Sequence, residues 1–186
     1  MPSQSDLEDA LLSAAQVGPN FTQQPEGSGI GENSLSNACP AVGAGASPSE
    51  MAIRAFVANP NSTNITDVTE ELLQYTVGQA EQQLNQFAQV AQACPEFTVT
   101  LPTSSLGTLT IQIGIADEAF ATIGDQTAAL RVTADVTNYG VIVTGDIVAV
   151  RHGGTVILVV NVALQVDSNL TSAVTKAAFS NVAARW

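Results

Sequence analysis

The side chains best suited to acid–base chemistry in this chain are a few carboxylates and one histidine. Asp117, Glu118 and Asp125 form an acidic stretch around a loop, and His152 is the single histidine. Paired carboxylates can hydrolyse glycosidic bonds, whereas a catalytic histidine requires a nucleophile and an orienting group within reach. Acids also line the turns of any acidic protein, and the chain has no G-x-S-x-G elbow to accompany His152. We therefore predict no catalytic residue and a chain that is not an enzyme.

Metal and nucleotide sites have no strong signature in this sequence. The acids lack the dense D-x-D-x-D-G spacing of a calcium loop. Gly124-Asp125 is typical of a turn rather than of a phosphate-binding loop. A dinucleotide fingerprint comes directly after a strand, and no strand is predicted before the glycine-rich stretch at residues 27–31. We predict no cofactor and no metal.

Charge and composition limit the classes of partner that the chain can have. The chain has 186 residues, 45% of them hydrophobic, and five basic against 17 acidic residues give a formal net charge of −12. This length fits a single domain over residues 1–186. The charge repels phosphate backbones and anionic lipid surfaces, which argues against nucleic acid as a partner. No apolar run of about 18 residues exists, so membrane contact is expected only through an upstream anchor. Residues 1–5 are interpreted as a leader or an artificial remnant, and a monomer is expected.

The two cysteines, Cys39 and Cys94, are each followed by proline. Two lone thiols do not satisfy the four ligands of zinc, so the alternatives are two free thiols in a cytosolic protein or one disulfide in an oxidising compartment. We favour the disulfide, which would stabilise the fold by roughly 4 kcal/mol and fasten a long loop over residues 17–48. Four possible glycosylation sequons, relevant only in a host that glycosylates asparagine, begin at Asn20, Asn61, Asn64 and Asn169.

The first half of the chain alternates helical and irregular patterns. Ser5 and Glu8 form a capping box that predicts a helix over residues 6–16. A strand is predicted over residues 51–58, and residues 66–75 are ambiguous between helix and strand. From residue 77 to Cys94, apolar side chains recur every three or four positions and predict a long amphipathic helix that Pro95 ends.

The second half is dominated by alternating patterns that predict strands over residues 108–115, 129–136, 141–151 and 155–164. His152-Gly153-Gly154 predicts a hairpin between the last two, which are apolar on both faces and therefore central in the sheet. Gly145 is a candidate β-bulge, and Asp167 or Ser168 caps a C-terminal helix. The predicted fold class is α+β, with a twisted antiparallel sheet.

One face of this sheet is the candidate binding surface. If Val156 and its alternate neighbours face the core, the opposite face must be covered by the front loop or the first helix, or else line a groove. The residues predicted to bind there are Val148, Val150, Ile157 and Val159, together with Arg131 and Arg151. The arginines could orient an anionic ligand, although ion pairs with neighbouring acids are the alternative.

Several motifs in this order resemble a known family. They are A-Q-A-C-P-E-F around Cys94, G-D-Q-T-A-A-L-R ending at Arg131, V-I-V-T-G-D-I-V-A-V-R-H-G-G ending at Gly154, and the T-V-I-L-V-V strand after it. Over residues 5–185 the chain resembles the extracellular sensor domain of mycobacterial PknH-type Ser/Thr kinases and the related actinobacterial cell-wall lipoproteins.

The predicted elements amount to about five to six antiparallel strands and three main helices, and the resemblance implies an α+β domain of this kind with a cleft for an unknown ligand. It implies that residues 66–75 are a strand. It also implies an upstream signal peptide with a lipidated cysteine, or an upstream transmembrane segment. The kinase domain has two disulfides and this chain can form only one, which favours the lipoprotein branch.

We therefore expect a non-enzymatic, extracytoplasmic ligand-binding or sensor domain, the soluble part of a lipoprotein. Its partner would be a small molecule, a lipid or a cell-wall fragment. The alternatives are a lipid-carrier lipoprotein with a closed apolar cavity, a structural envelope protein without a ligand, and a hydrolase that uses Asp117, Glu118 or Asp125.

Overall fold

A computed structural model of the chain describes residues 1–25, 38–41, 45–60, 64–103 and 107–186. These residues form eight strands and five helices, so the predicted five to six strands are too few. The elements in chain order are α1 (Gln4–Ala10), α2 (Ala14–Val17), β1 (Phe21–Gln23), β2 (Glu50–Ala58), β3 (Thr66–Gln74), α3 (Val77–Phe87), α4 (Val90–Ala93), β4 (Glu96–Thr103), β5 (Gly107–Asp117), β6 (Gln126–Val136), β7 (Val141–His152), β8 (Thr155–Ala163) and α5 (Ser168–Ala183).

The strands form one sheet in the order β1-β2-β3-β8-β7-β6-β5-β4, with antiparallel neighbours throughout. The two strands that are apolar on both faces, β7 and β8, lie in the middle of the sheet, as predicted. The predicted hairpin between them is also confirmed: His152 pairs with Thr155, and Gly153 adopts a φ of 58°. A two-residue turn of this kind requires positive φ, which glycine adopts without steric cost.

Two strands and one local feature differ from the sequence-based expectation. β1, which is only three residues long, and β4, which begins directly after Pro95, were not predicted. The predicted bulge at Gly145 is absent, because the pairing of β6 with β7 runs without interruption from Val136–Val141 to Gln126–Arg151. A side chain at Gly145 would instead contact the backbone oxygen of Asn161 at 3.2 Å, which explains the glycine by close packing.

The first face of the sheet, called here the packed face, carries the main hydrophobic core. Helices α1, α2 and α5 cover it, and its fully buried side chains include Phe56 on β2 and Leu72 on β3. Completely burying such side chains contributes about 1.5–3 kcal/mol each. The predicted C-terminal helix is confirmed as α5, which Asp167 caps, and which turns Val174 and Val182 into this core.

The second face is crossed near one end by α3 and α4. The chain between β3 and β4 must pass five strand positions, about 24 Å at the usual strand spacing. The 17 residues from Val77 to Ala93 cover about 25 Å as a helix. Beneath them, Ala80 packs against Val156, and Val90 and Ala91 pack against Leu130.

Both predicted long helices are divided. The first breaks after Ala10, because Ser13 starts α2 with its own capping box, and Ser3 rather than Ser5 caps α1. The second breaks between Phe87 and Val90. Residues 66–74 form a strand rather than a helix, in agreement with the resemblance. The predicted disulfide between Cys39 and Cys94 is present. Nearly half of the predicted loop between residues 17 and 48, at 26–37 and 42–44, lies outside the described residues.

Candidate functional site

The four apolar residues predicted to line a binding groove lie inside the core instead. Val148, Val150, Ile157 and Val159 are fully buried on the packed face beneath α1, α2 and α5. The sequence left open whether this face is covered or lines a groove, and the structure shows that it is covered. The face assumed to be internal, which carries Val156, is the second face, which is buried where α3 and α4 cross it. All four side chains are 0% exposed, so their role in binding a ligand stays a prediction without an accessible surface to support it.

Arg131 lies on β6 and binds acids on either side of it. Its Nε donates to Asp146 at 2.5 Å, and its NH2 group donates to Glu118 at 3.0 Å and to the hydroxyl of Ser168 at 2.9 Å. Asp146 pairs directly opposite Arg131 on β7 and is almost completely buried. The guanidinium of Arg131 thus forms ion pairs with acids of the same chain. This matches the alternative of ion pairing with neighbouring acids rather than the prediction that Arg131 orients an anionic ligand.

The polar network around Asp146 continues to α5. Its second carboxylate oxygen accepts from the hydroxyl of Thr171 at 2.9 Å, and that hydroxyl accepts from the side-chain amide of Asn161 at 2.9 Å. Both partners are buried, and Thr171 lies in the first turn of α5. Because buried polar groups must find partners, this network fixes the start of α5 on the sheet.

Arg151 and His152, at the end of β7, also have internal partners. Arg151 donates to Asp125 at 3.2 Å, and the same carboxylate oxygen accepts the backbone N–H of Gly153 at 2.7 Å. The ring of His152 lies 2.8 Å from the backbone oxygen of Trp186 and packs edge-on against Phe179. These contacts stabilise the hairpin, and no nucleophile among the described residues hydrogen-bonds to His152.

The acidic stretch does not converge on a common point. Glu118 binds Arg131, whereas Asp125 binds Arg151 and Gly153. The two carboxylates are therefore used in different parts of the fold. In the described part of the chain, no group of three or more His, Cys, Asp or Glu side chains is arranged to hold a metal ion.

The second face carries an apolar surface that the described helices leave partly exposed. Beyond α3 and α4, a set of its valine and isoleucine side chains is half-buried, although Val99 and Ile113 on the same face are buried. The set continues across β5, β6, β7 and β8, because these neighbouring strands pair in register. We call it the aliphatic patch, defined by Ile111, Val132, Val136, Val143, Val160 and Val162. Continuous apolar surfaces of this kind are typical of interaction sites.

No basic side chain lies in the aliphatic patch. All five Lys and Arg residues of the chain are among the described residues. Arg54 and Arg131 project from the packed face, Lys176 and Arg185 belong to α5 and the residues after it, and Arg151 is bound at the far end of β7. The patch therefore offers no cation to an anionic ligand.

A second concave area lies at the hairpin end of the sheet. It is an open cleft of about 830 Å³, lined among others by Tyr75, His152, Gly154 and Trp186. Burial, followed by the nearby Glu71 carboxylate, raises the pKa of Tyr75. The indole N–H of Trp186 donates to Thr155, whose hydroxyl donates to Gln74. The polar groups of Gln74, Thr155 and Trp186 at its floor thus bind one another.

The buried acids were missed at the sequence level. Glu70 is fully buried on β3 between Val68 and Leu72, and burial raises its pKa to about 7. The signal was present, because Glu70 occupies an inward position of an alternating strand pattern. Asp146 likewise interrupts the apolar run of β7. A charge at an inward strand position indicates either a buried partner or a titrating group.

No protein-family model matches the chain, and no curated protein is significantly similar to it in sequence. The structure is similar to the crystal structure of the extracellular domain of PknH from Mycobacterium tuberculosis, with a TM-score of 0.65 and 13% sequence identity. The match covers 98% of this chain and 97% of that one. The chain therefore has a PknH-like fold. In the described residues, no helix is long and apolar enough to cross a membrane.

Proposed function

We propose that this chain is a non-enzymatic, extracytoplasmic ligand-binding or sensor domain that recognises a neutral aliphatic ligand on the aliphatic patch. The observation that carries the proposal is the asymmetry of the sheet. Helices α1, α2 and α5 bury the packed face over the centre of the sheet, while its side chains on β4 and β5, such as Thr98 and Gln112, stay exposed. Among the described residues, α3 and α4 cover only one end of the second face, and the side chains of the aliphatic patch beyond them are valine and isoleucine. The ligand would therefore be bound by its hydrocarbon part.

The charge distribution defines the ligand class further. A fatty acid or phospholipid would bring an anionic group to a protein of net charge −12 that presents no cation at the patch. A neutral acylglycerol, isoprenoid or glycolipid has no such penalty. Burying about 400 Å² of aliphatic surface, counted on protein and ligand together, would contribute about 10 kcal/mol, and the smallest association cost of about 4 kcal/mol leaves about 6 kcal/mol. We therefore expect a dissociation constant of tens of micromolar or weaker.

An extracytoplasmic location is supported by two independent features. The disulfide between Cys39 and Cys94 is typical of an oxidising compartment. The fold is similar to that of an extracellular domain. The soluble part of a lipoprotein remains our preferred context, and an upstream anchor would then connect the domain to a membrane.

A lipid-carrier lipoprotein is the second candidate function. It is favoured by the aliphatic character of the patch, but it requires a cavity that encloses an acyl chain. The two clefts found among the described residues are open to solvent. We therefore prefer recognition at the surface to transport of an enclosed lipid.

A hydrolase is disfavoured by the ion pairs of Glu118 and Asp125, and turnover lost on Asp125→Asn would be needed to support it.

Binding can be tested with the neutral fluorescent probe N-phenyl-1-naphthylamine. We expect saturable binding, displaced by neutral monoolein and displaced at least about tenfold less well by anionic oleate at low ionic strength. A probe that does not bind, or that oleate displaces as well as monoolein, would contradict the proposed ligand class.

A further inference from the structure

Glu70 lies in the middle of the packed face with half of its carboxylate unsatisfied. Its Oε2 accepts the backbone N–H of Leu12 at 2.6 Å, and its Oε1 has no hydrogen-bond partner among the described residues. The side chain is 0% exposed. A buried carboxylate in this state is costly when it is charged, because one hydrogen bond does not replace its hydration.

Arg54 lies directly opposite Glu70 on the neighbouring strand β2. Its guanidinium donates to the backbone oxygens of Leu12 at 2.8 Å, Leu11 at 3.3 Å and Glu8 at 3.3 Å. No salt bridge between Arg54 and Glu70 occurs within the described part of the chain. Both side chains therefore bind the turn between α1 and α2, at residues 11–13, instead of each other.

We propose that Arg54 and Glu70 form a proton-controlled latch on the α1–α2 turn. When Glu70 is protonated, Arg54 remains on the three backbone oxygens and the turn is fixed on the sheet. When Glu70 releases its proton to solvent, the guanidinium turns to the carboxylate opposite it. The backbone oxygens of residues 8, 11 and 12 then lose their donor, and the turn loosens over the core.

The described residues that pack around Glu70 place one charged side chain against it, so Glu70 should titrate without another acid beside it. Burial raises its pKa to about 7, against the smaller lowering effects of the Leu12 N–H and Arg54. On the other side, β8 places Val159 opposite it. Helix α5 turns no charged side chain inward: its buried residues are Thr171, Val174, Thr175, Ala178 and Val182, and Lys176 is exposed. The charged residues of α1, including Glu8 and Asp9, are exposed as well. Among the described residues, Arg54 is thus the charged group that faces Glu70.

The sign of the effect follows from this raised pKa. The folded protein binds the Glu70 proton more tightly than the unfolded chain, whose carboxyl has the ordinary pKa of 4.5. The contribution to stability is therefore full below about pH 4.5 and is lost as the pH rises to about 7. For a domain of this size, Glu70 should lower Tm by roughly 5–10 °C across that interval.

The wild-type protein tests the latch directly by carboxyl NMR titration and amide hydrogen exchange. We expect Glu70 to titrate near pH 7. After correction for intrinsic exchange rates, protection of the Val17 amide, which donates to Ser13 in the turn, should fall at least about tenfold between pH 5.5 and 8, while amides of β7 and β8 keep theirs. A Glu70 midpoint near 4.5, or equal Val17 protection at both pH values, would overturn the proposal.

A pair of charge-matched variants separates the latch from general repulsion in an acidic protein. Glu70→Gln should keep Val17 protected at both pH values and remove most of the fall in Tm. Glu81→Gln removes the same charge from the exposed side of α3 and should retain the wild-type profile. Identical profiles for the two variants would show that net charge, not the latch, controls the pH response.

Discussion

Cys39 and Cys94 are separated by 55 residues, and their disulfide brings the Cα atoms to 6.0 Å from each other. Cys94 directly follows α4. Ala41, two residues after Cys39, packs on the cluster formed by Val90, Ala91 and Leu130. The disulfide thus fastens the described segment 38–41 to the helix that covers one end of the second face, beside the aliphatic patch.

Removing this disulfide should loosen the second face before the packed face. In a Cys39→Ser/Cys94→Ser double variant, we expect the free energy of unfolding to fall by about 2–4 kcal/mol, measured by urea denaturation. Hydrogen exchange should accelerate first in α4 and around residues 38–41, while β7 and β8 stay protected. Simultaneous loss of protection in all of these elements would contradict a local role for the disulfide.

Truncating one valine on each face of β7 should reveal the asymmetry of the sheet. Val150 is fully buried on the packed face, whereas Val143 is half-buried in the aliphatic patch. We expect Val150→Ala to cost about 2 kcal/mol of unfolding free energy and Val143→Ala less than about 1 kcal/mol, because a cavity forms only in the first case. Equal costs in urea denaturation would mean that the patch is covered.

Two glycine-to-alanine variants should change stability in opposite directions. A Cβ at Gly154 would lie 2.5 Å from the backbone oxygen of Tyr75, and no heavy atom outside its own helix lies within 4 Å of a Cβ at Gly78. Gly154→Ala therefore forces β8 away from the end of β3, and we expect a loss of about 1–3 kcal/mol. Gly78→Ala should gain up to about 1 kcal/mol of stability from its higher helix propensity. Both variants can be compared with the wild type by thermal unfolding. A neutral Gly154→Ala would disprove the close approach.

Asp146 should be required for the attachment of α5. It is 2% exposed and binds both Arg131 and Thr171. Asp146→Ala leaves these groups without a buried partner, and we expect a loss of about 3–5 kcal/mol. Glu118→Ala removes the more exposed partner of the same arginine and should cost less than about 1 kcal/mol. Equal losses in chemical denaturation would contradict this ranking.

Local sequence patterns predicted those elements whose signals are strong in a few consecutive residues. The central position of β7 and β8 followed from apolar residues on both of their faces, and the hairpin at Gly153-Gly154 followed from turn chemistry. The same two-sided pattern could not indicate which face the helices cover. Val148 and Val150 were therefore placed on the outer face, because that choice depends on contacts between segments far apart in the chain.

Other features depended on tertiary contacts that the sequence does not encode locally. β1 has three residues and is a strand only because it pairs with the end of β2. The break before Ser13 is stabilised by Glu70, 58 residues further along the chain from Leu12. For the candidate site, the sequence indicated that both faces of β7 and β8 are apolar, but not which of them the helices cover, so the aliphatic patch differs from the residues predicted to bind.

The most direct test of the proposed function is probe binding to a variant with a polar patch. Val132→Thr/Val136→Thr/Val160→Thr keeps the shape and β-propensity of the patch while reducing its apolar character. Thr98→Ser, on the exposed opposite side of β4, is the control. Titration with N-phenyl-1-naphthylamine should show binding to the wild type and the control, and an affinity at least about tenfold lower for the triple variant, since three apolar contacts are weakened. Equal binding by all three proteins would contradict recognition at the aliphatic patch.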